Sequence, residues 1–331
     1  MKTIFNIGWS FIFINITVAQ DALFTQFYAI PQQTNAALVG TTPHYRASLL
    51  YRNQWSAIPQ NYETSVFSYD YNLRNKGGWG VQLLNERIHT LGLHHNYLSA
   101  AYTYNAYLNR KWIFKPALQV GANYRNFSFS KLTFADQIEH GGATAERPQM
   151  AHQFYLTIGA GFLLYNKKWI LGLGTYHLNR PKEGEPTYYQ SSQLAPRFTL
   201  QGAHKMVLSK TKKETKSITP ALLYQYQAGF QQADMGANLF LSPLMIGLWY
   251  RGLPLLGSPI RNVLNQDAIA VLVGLRYDYF RITYSYDKTI SRLIGSGGSH
   301  EISISIEPFA DFRPRRKRDL HYIECPLFMN F

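Results

Sequence analysis

The chain of 331 residues contains a single cysteine, Cys325, so no intrachain disulfide can close and a disulfide scaffold is excluded. Charge is scarce, with 16% Asp, Glu, Lys and Arg against a usual share of about 25%. Acidic residues are the scarcer kind, 19 against 33 basic ones, which leaves a formal charge of +14. After residue 20 no apolar run approaches the roughly 18 residues of a membrane-spanning helix, so helical spans are excluded too. Disorder is excluded by what is abundant: 46% hydrophobic residues, with 24 Tyr, 20 Phe and 6 Trp. Length alone allows one large domain or two ordinary ones.

The first 19 residues read as an address. Lys2 gives a positive start, Ile4 to Ile16 is apolar, and Thr17-Val18-Ala19 ends in small residues before Gln20. That pattern predicts a secretory signal peptide over 1–19. At about 13 residues the apolar stretch is short for the roughly 20 that a spanning helix needs. The mature protein is expected to be exported and basic.

Beyond Gln20 the sequence breaks into segments of about ten residues that alternate with period two between turn residues. In 280–287, Phe280, Ile282, Tyr284 and Tyr286 face one way and Arg281, Thr283, Ser285 and Asp287 the other. Residues 302–306 alternate Ile and Ser strictly, and 96–108 puts Leu98, Tyr102 and Tyr104 opposite Ser99, Thr103 and Asn105. Apolar positions three and four apart, which a helix needs, are missing. The alternation predicts strands over 44–52, 62–71, 78–88, 94–108, 111–125, 150–165, 168–178, 197–208, 217–230, 234–241, 244–251, 267–276, 279–288 and 299–307. These are fourteen, an even number.

Connections sort by length. Every second one is a tight turn, and those between are mostly long, except 89–93 and 231–233. Short turns on one rim and long loops on the other mark a transmembrane antiparallel β-barrel, with turns periplasmic and loops extracellular. A bilayer core offers no water to unpaired backbone groups, so a membrane protein without helical spans must close its sheet. The expected fold is therefore all-β, a barrel over 44–309, with both termini periplasmic. Outward Leu, Ile, Val and Phe would meet lipid, and Tyr and Trp would settle at the interfaces, where Trp55, Trp79, Trp112, Trp169 and Trp249 sit near predicted strand ends. A mean hydropathy of −0.22 agrees, because only every second residue faces lipid. Glycines 159, 161, 172, 174, 236 and 247 inside strands would allow curvature or leave room for a plug, for which 20–43 is the candidate. Phe309 is expected to close the last strand, with 310–331 appended as a basic periplasmic tail.

Three groups of residues then resemble a known family in order and spacing. They are Gln20-Asp-Ala-Leu-Phe-Thr-Gln-Phe-Tyr28, Asn35-Ala-Ala-Leu-Val-Gly40 and Leu50-Tyr-Arg-Asn-Gln-Trp55. Gly77-Gly-Trp-Gly80, 129–136, Tyr165-Asn-Lys-Lys-Trp169, Gly247-Leu-Trp-Tyr-Arg251, Tyr284-Ser-Tyr-Asp287, Gly297-Gly-Ser-His-Glu301 and Glu324-Cys-Pro326 follow in register. Together they resemble the PorP/SprF family of type IX secretion system membrane proteins over essentially all of 20–331. The segment 182–195 departs from the pattern. The resemblance implies an outer-membrane protein of a Bacteroidota-type bacterium. It also implies partners among the periplasmic ring proteins and large secreted adhesins used in gliding, and no catalytic residues.

Other constellations are weighed on their own chemistry. His94-His95 with His89 falls short of a four-ligand metal site, because neighbours in a strand face opposite ways, and they are read as loop histidines. Glu183 and Glu185 lie between Pro181 and Pro186 with nothing to desolvate them, so acid–base work is not expected of them. No Gly-x-Ser-x-Gly elbow occurs. No enzyme activity, cofactor or metal is expected. Arg313, Arg315, Arg316, Lys317 and Arg318 form the densest charge. Export argues against nucleic acid as their partner, and they are the candidate docking residues for an acidic periplasmic protein. Lys210, Lys212, Lys213 and Lys216 lie on the same rim. Arg281, Thr283, Ser285 and Asp287 are the candidate lumen-facing residues, and Arg52, Arg125 and Arg276 are further bulky candidates for filling the lumen. Two functions follow: a non-enzymatic secretion or gliding component working through protein contacts, or a passive channel or hydrophobic-solute transporter. A plugged lumen would favour the first.

Overall fold

The computed structural model describes residues 21–308 apart from 59–61, 74–75, 89–91, 129–132, 134, 143–151, 184–191, 211–214, 258–263 and 292–293. The expected signal peptide and the tail beyond 308 lie outside the described residues.

Fourteen strands form the wall. The first seven are β1 (Tyr45–Gln54), β2 (Tyr62–Asn72), β3 (Gly77–Ile88), β4 (Leu93–Tyr104), β5 (Ile113–Phe127), β6 (His152–Tyr165) and β7 (Trp169–Tyr176). They continue as β8 (Arg197–His204), β9 (Thr215–Gln227), β10 (Phe230–Leu241), β11 (Leu244–Gly257), β12 (Leu264–Tyr277), β13 (Phe280–Thr289) and β14 (Ser299–Ile306). Each pairs antiparallel with its neighbours in sequence, and β1 pairs with β14 from Ala47↔Ile306 to Gln54↔Ser299, which closes the cylinder. No sheet edge is left in the wall to face hydrocarbon. Among the described residues no helix is long and apolar enough to cross a membrane; the strands do the crossing.

Alternation sets the two faces. On β5, Leu118 is 68% exposed while its neighbour Gln119 is 2% exposed. Phe280, Ile282 and Tyr284 are exposed, whereas Arg281, Thr283, Ser285 and Asp287 between them are buried. The outer surface is Leu, Ile, Val and Phe; much of the inner one is Ser, Thr, Asn and Gln, as in Ser48, Thr64, Ser99, Thr157, Thr199 and Ser303. Across the closing seam Ser48 Oγ and Ser305 Oγ share a hydrogen bond of 2.9 Å.

The sequence boundaries shift in instructive ways. The expected connection 231–233 is strand; the turn is Ala228-Gly229, both at positive φ (49° and 85°), as a two-residue hairpin with primed geometry requires. The segment 94–108 breaks at Asn105, and only Ala106–Tyr107 continues the pairing with β5. The segment 197–208 breaks at Lys205, after which Met206–Lys210 pairs with β9. Long connections gather at one end and turns of two to a few residues at the other, with 89–92 and 228–229 the short exceptions at the long-loop end.

Trp249 corrects the expectation of an interfacial residue. It is buried on the inner face, donates from Nε1 to Asn238 Oδ1 at 3.1 Å, and meets the ring of Phe27 edge-on at 5.3 Å. Trp79 and Trp169 are exposed on the outer face. His94 and His95 are strand residues of β4 rather than loop residues, one exposed and one buried. His95 Nε2 lies 2.9 Å from Asn123 Oδ1.

Candidate functional site

The segment before β1 runs through the lumen. Residues 24–42 are buried throughout, with a four-residue helix α1 (Pro31–Thr34) and one 3-10 turn (Ala36–Leu38). Pro31 sits in the first turn of α1, and Asn35 Oδ1 accepts from Ala37 N at 2.9 Å to cap the second. Three walls hold this plug.

The first is the seam of β13, β14 and β1, joined by β10 and β11. Arg52 Nη1 donates to Glu301 Oε2 at 2.8 Å, Asp287 Oδ2 at 3.1 Å and Thr25 Oγ1 at 3.3 Å. Arg251 donates to Asp234 Oδ1 at 3.0 Å, Asp287 Oδ2 at 3.2 Å and Thr25 Oγ1 at 3.0 Å. Thr25 Oγ1 in turn donates to the Asp287 carboxylate, and the Glu301 carboxylate accepts from Thr25 N at 3.1 Å and Gln26 N at 2.6 Å. Gln26 Nε2 adds a bond to Ser285 Oγ at 3.1 Å. Two guanidiniums and three carboxylates thus meet around two plug residues. Such charges are tolerated in a dry interior only when nearly every polar atom finds a partner.

The second wall is β6 to β8. Asn35 Nδ2 donates to the main-chain carbonyls of Phe162 (3.2 Å) and Leu173 (3.1 Å), Thr199 Oγ1 to Thr34 O (2.8 Å), and Tyr176 OH to Gln32 O (2.6 Å). Glycine makes this approach possible. A Cβ on Gly174 would stand 2.9 Å from Thr34 O, and one on Gly161 would overlap the Asn35 side chain. The third wall is β2, β3 and β5: Asp70 Oδ2 accepts from Gly40 N (2.9 Å) and Asp70 Oδ1 from Arg46 Nε (2.8 Å), while Lys115 Nζ donates to Val39 O (2.6 Å). Gly40 (φ 63°) lies so near Gly78 that a side chain on either would strike the other's Cα.

The plug enters from an unexpected end. Asp21 Oδ2 lies 2.9 Å from His177 Nε2 and 3.1 Å from Arg197 Nη1, where β7 ends and β8 begins, on the long-loop side. Thr42, at the other end of the segment, accepts through its carbonyl from Asn72 Nδ2 at the turn side. The expectation that both ends of the mature chain share the turn side is therefore corrected for Asp21. Strand parity fixes where β1 begins, and the segment ahead of β1 crosses the lumen. A recess of about 410 Å3, including its opening to solvent, remains beside Asp21, lined by Glu86, His95, Arg125, His177 and Arg197 among others.

Burial disfavours the Asp21 carboxylate, but the charges of His177 and Arg197 outweigh it and hold the carboxyl well below its usual value of 3.8. A carboxyl depressed on folding stabilises above its unfolded value and loses that contribution as pH falls through the folded one. The contribution of the Asp21 charge to the anchoring should therefore be lost only below about pH 4. Asp21→Asn should raise hydrogen exchange of amides 22–25 about tenfold at pH 7; unchanged exchange would show the contact is idle.

Of the candidate lumen-facing residues, Asp287 and Ser285 touch the plug directly, and Thr283 does so through its carbonyl, 3.4 Å from Gln26 Nε2. Arg281 pairs with Glu307 at 3.0 Å. Arg125 lines the recess over the Tyr155 ring, and Arg276 is half-buried at the turn side. Arg313, Arg315, Arg316, Lys317, Arg318 and Cys325 lie outside the described residues, as do Glu185, Lys212 and Lys213. Sequence reading missed Arg46, Asp70, Lys115, Asp234, Arg251 and Glu301. Each is a charge in an inward row of a strand, and that placement was the available signal.

A closed fourteen-strand wall with an apolar outside and a polar inside defines an outer-membrane β-barrel, here with its lumen filled by its own chain. The chain belongs to the PorP/SprF family: the family's model, described as type IX secretion system membrane protein PorP/SprF, matches residues 16–306. Among curated proteins none matches significantly. Among solved structures the chain is similar to the outer membrane protein Omp33 of Acinetobacter baumannii, at 8% identity and a TM-score of 0.43 over 81% of this chain and 99% of that one. It is also similar to the P. putida toluene transporter TodX (10%, 0.43, 82% and 92%) and to the KdgM porin (9%, 0.35, 78% and 98%). These likenesses concern the barrel architecture alone.

Proposed function

We propose that this barrel is a non-enzymatic anchor of the type IX secretion and gliding apparatus. It holds a particular cargo, such as a large secreted adhesin, by protein contacts at its long-loop end and engages the periplasmic machinery from its turn end. The observation that supports an anchor over a passive channel is the filled lumen: a conduit needs an open path, and residues 24–42 occupy it on three walls. On this reading 1–19 is cleaved during export and the long loops face the cell exterior. The segment after β14, which leaves from the turn side, then carries Arg313, Arg315, Arg316, Lys317 and Arg318 toward an acidic partner in the periplasm.

The test compares the full chain with a version ending after Phe309 in pull-downs from outer membranes. Recovery of secretion-ring proteins with the full chain and their loss on truncation is the expected result. Equal recovery from both removes the tail from the reading. Rapid solute uptake by liposomes bearing the intact chain would favour the channel instead.

A further inference from the structure

Two turns at the turn side repeat one local design, and a third beside them carries the same residue types. The β4–β5 connection ends Asn109-Arg110-Lys111-Trp112, and the β6–β7 connection reads Asn166-Lys167-Lys168-Trp169. Asn109 Oδ1 accepts from Lys111 N (2.8 Å) and Trp112 N (2.9 Å); Asn166 Oδ1 accepts from Lys168 N (2.7 Å) and Trp169 N (2.8 Å). The same Asx turn therefore sets two cations at the tip twice, each pair followed by a Trp: Trp169 is exposed at the start of β7, and Trp112 is half-buried just ahead of β5. The β2–β3 connection carries Arg74 and Lys76 in its sequence, and the outward Trp79 follows.

Arg110, Lys111, Lys167, Lys168 and Lys76 are all exposed, and none joins a described ion pair. None of these three connections contains Asp or Glu. On the other half of the rim the turns Ser242-Pro243 and Asp278-Tyr279 carry no cation. The β8–β9 connection on the same rim adds Lys205, Lys210, Lys212 and Lys213, so the cations gather from β2 to β9 and leave the β10–β11 and β12–β13 turns bare.

Height along the barrel identifies the partner. Leu108 and Leu171 are lipid-type exposed residues within a few positions of the cations, and Trp169 is stacked on His204 with ring centroids 3.8 Å apart. An outward Trp marks the headgroup level of a bilayer. Cation pairs one residue before it stand where lipid phosphates lie, each attracting anionic headgroups by electrostatics. An acidic protein docking from the aqueous side would need no Trp on the lipid face beside each pair. We propose that the arc formed by the β2–β3, β4–β5 and β6–β7 turns is a binding surface for the headgroups of anionic phospholipids. It collects them on one side of the barrel. The choice of a phospholipid leaflet rests on the orientation given above; the binding chemistry does not.

The test uses the full chain in proteoliposomes of phosphatidylcholine with a minor share of phosphatidylglycerol, where both leaflets carry both lipids and orientation drops out. Bromine on the acyl chains of one lipid or the other quenches nearby Trp fluorescence. At matched mole fraction, brominated phosphatidylglycerol should quench roughly 3-fold more than brominated phosphatidylcholine. R110Q/K111Q/K167Q/K168Q, checked for folding by heat-dependent gel mobility, should quench equally with both. Excess inorganic phosphate at constant ionic strength should leave the preference intact. Equal quenching in the unaltered chain overturns the proposal, as does a preference that survives in the variant. Loss of the preference to inorganic phosphate alone would make this a phosphate site. Binding of poly-glutamate without any lipid preference would make it a protein-docking site, and either outcome overturns the lipid assignment.

Discussion

Deleting residues 21–42 is expected to convert the barrel into an ion-conducting pore, with solute flux through liposomes rising on the order of tenfold or more over the intact chain. The wall does not depend on the plug for its own hydrogen bonds, since β1 through β14 pair in an unbroken ring. Nor does the lining require a dry interior. Ser68, Ser99, Thr103, Gln119, Thr157, Thr199, Gln201 and Thr283 face inward and would be solvated by water once the plug is gone. Arg46 keeps Asp70, and Arg281 keeps Glu307, so these charges stay paired without the segment. Gly161, Gly172 and Gly174, which now leave space for Asn35, would widen the passage further. Single-channel recording on refolded protein decides the matter. A shortened chain that passes the gel-mobility check and still blocks ions would show that side chains and loops, not this segment, seal the lumen.

The second large effect is expected at Arg52. Its Nη1 alone meets Asp287, Glu301 and Thr25, and Arg52→Ala would leave three buried carboxylates facing the one guanidinium of Arg251. Breaking a buried pair by removing one partner typically costs about 3–5 kcal/mol, because the remaining charge is stranded. Urea unfolding in lipid should report a loss of that order, with residues 21–26 becoming accessible to protease. The paired change Arg52→Ala/Glu301→Ala removes one charge of each sign and should cost less than the sum of the two single changes by about 0.5–3 kcal/mol. Strict additivity would mean the two side chains act separately despite their 2.8 Å contact.

How far the sequence discloses this molecule depends on periodicity. Strands such as β13 and β14 announce themselves because each outward Ile or Tyr alternates with Ser, Thr or a charge, and only one pairing phase hides the polar row. The Ala228-Gly229 turn escapes because Ala is an uncommon choice at positive φ, whereas Asn or Asp there would have marked it. Trp249 misleads by its type, since a Trp near a strand end reads as interfacial. Its parity with Arg251 and Met245, against outward Ile246 and Leu248, is the stronger signal. The plug carries no periodicity to read. Its course is fixed by contacts more than two hundred residues away, such as Thr25 with Asp287 and Gln26 with Glu301. No local pattern in 21–42 encodes which wall each residue meets.

Arg52 and Glu301 are register partners on the two strands that close the cylinder. Glu301 is also the residue that grips the main chain of Thr25 and Gln26. Stoppering and sealing are therefore one assembly step. The first strand, arriving at the last with its leading segment attached, brings the stopper to its seat, and a cylinder still unzipped along this line would have no fixed place to hold it.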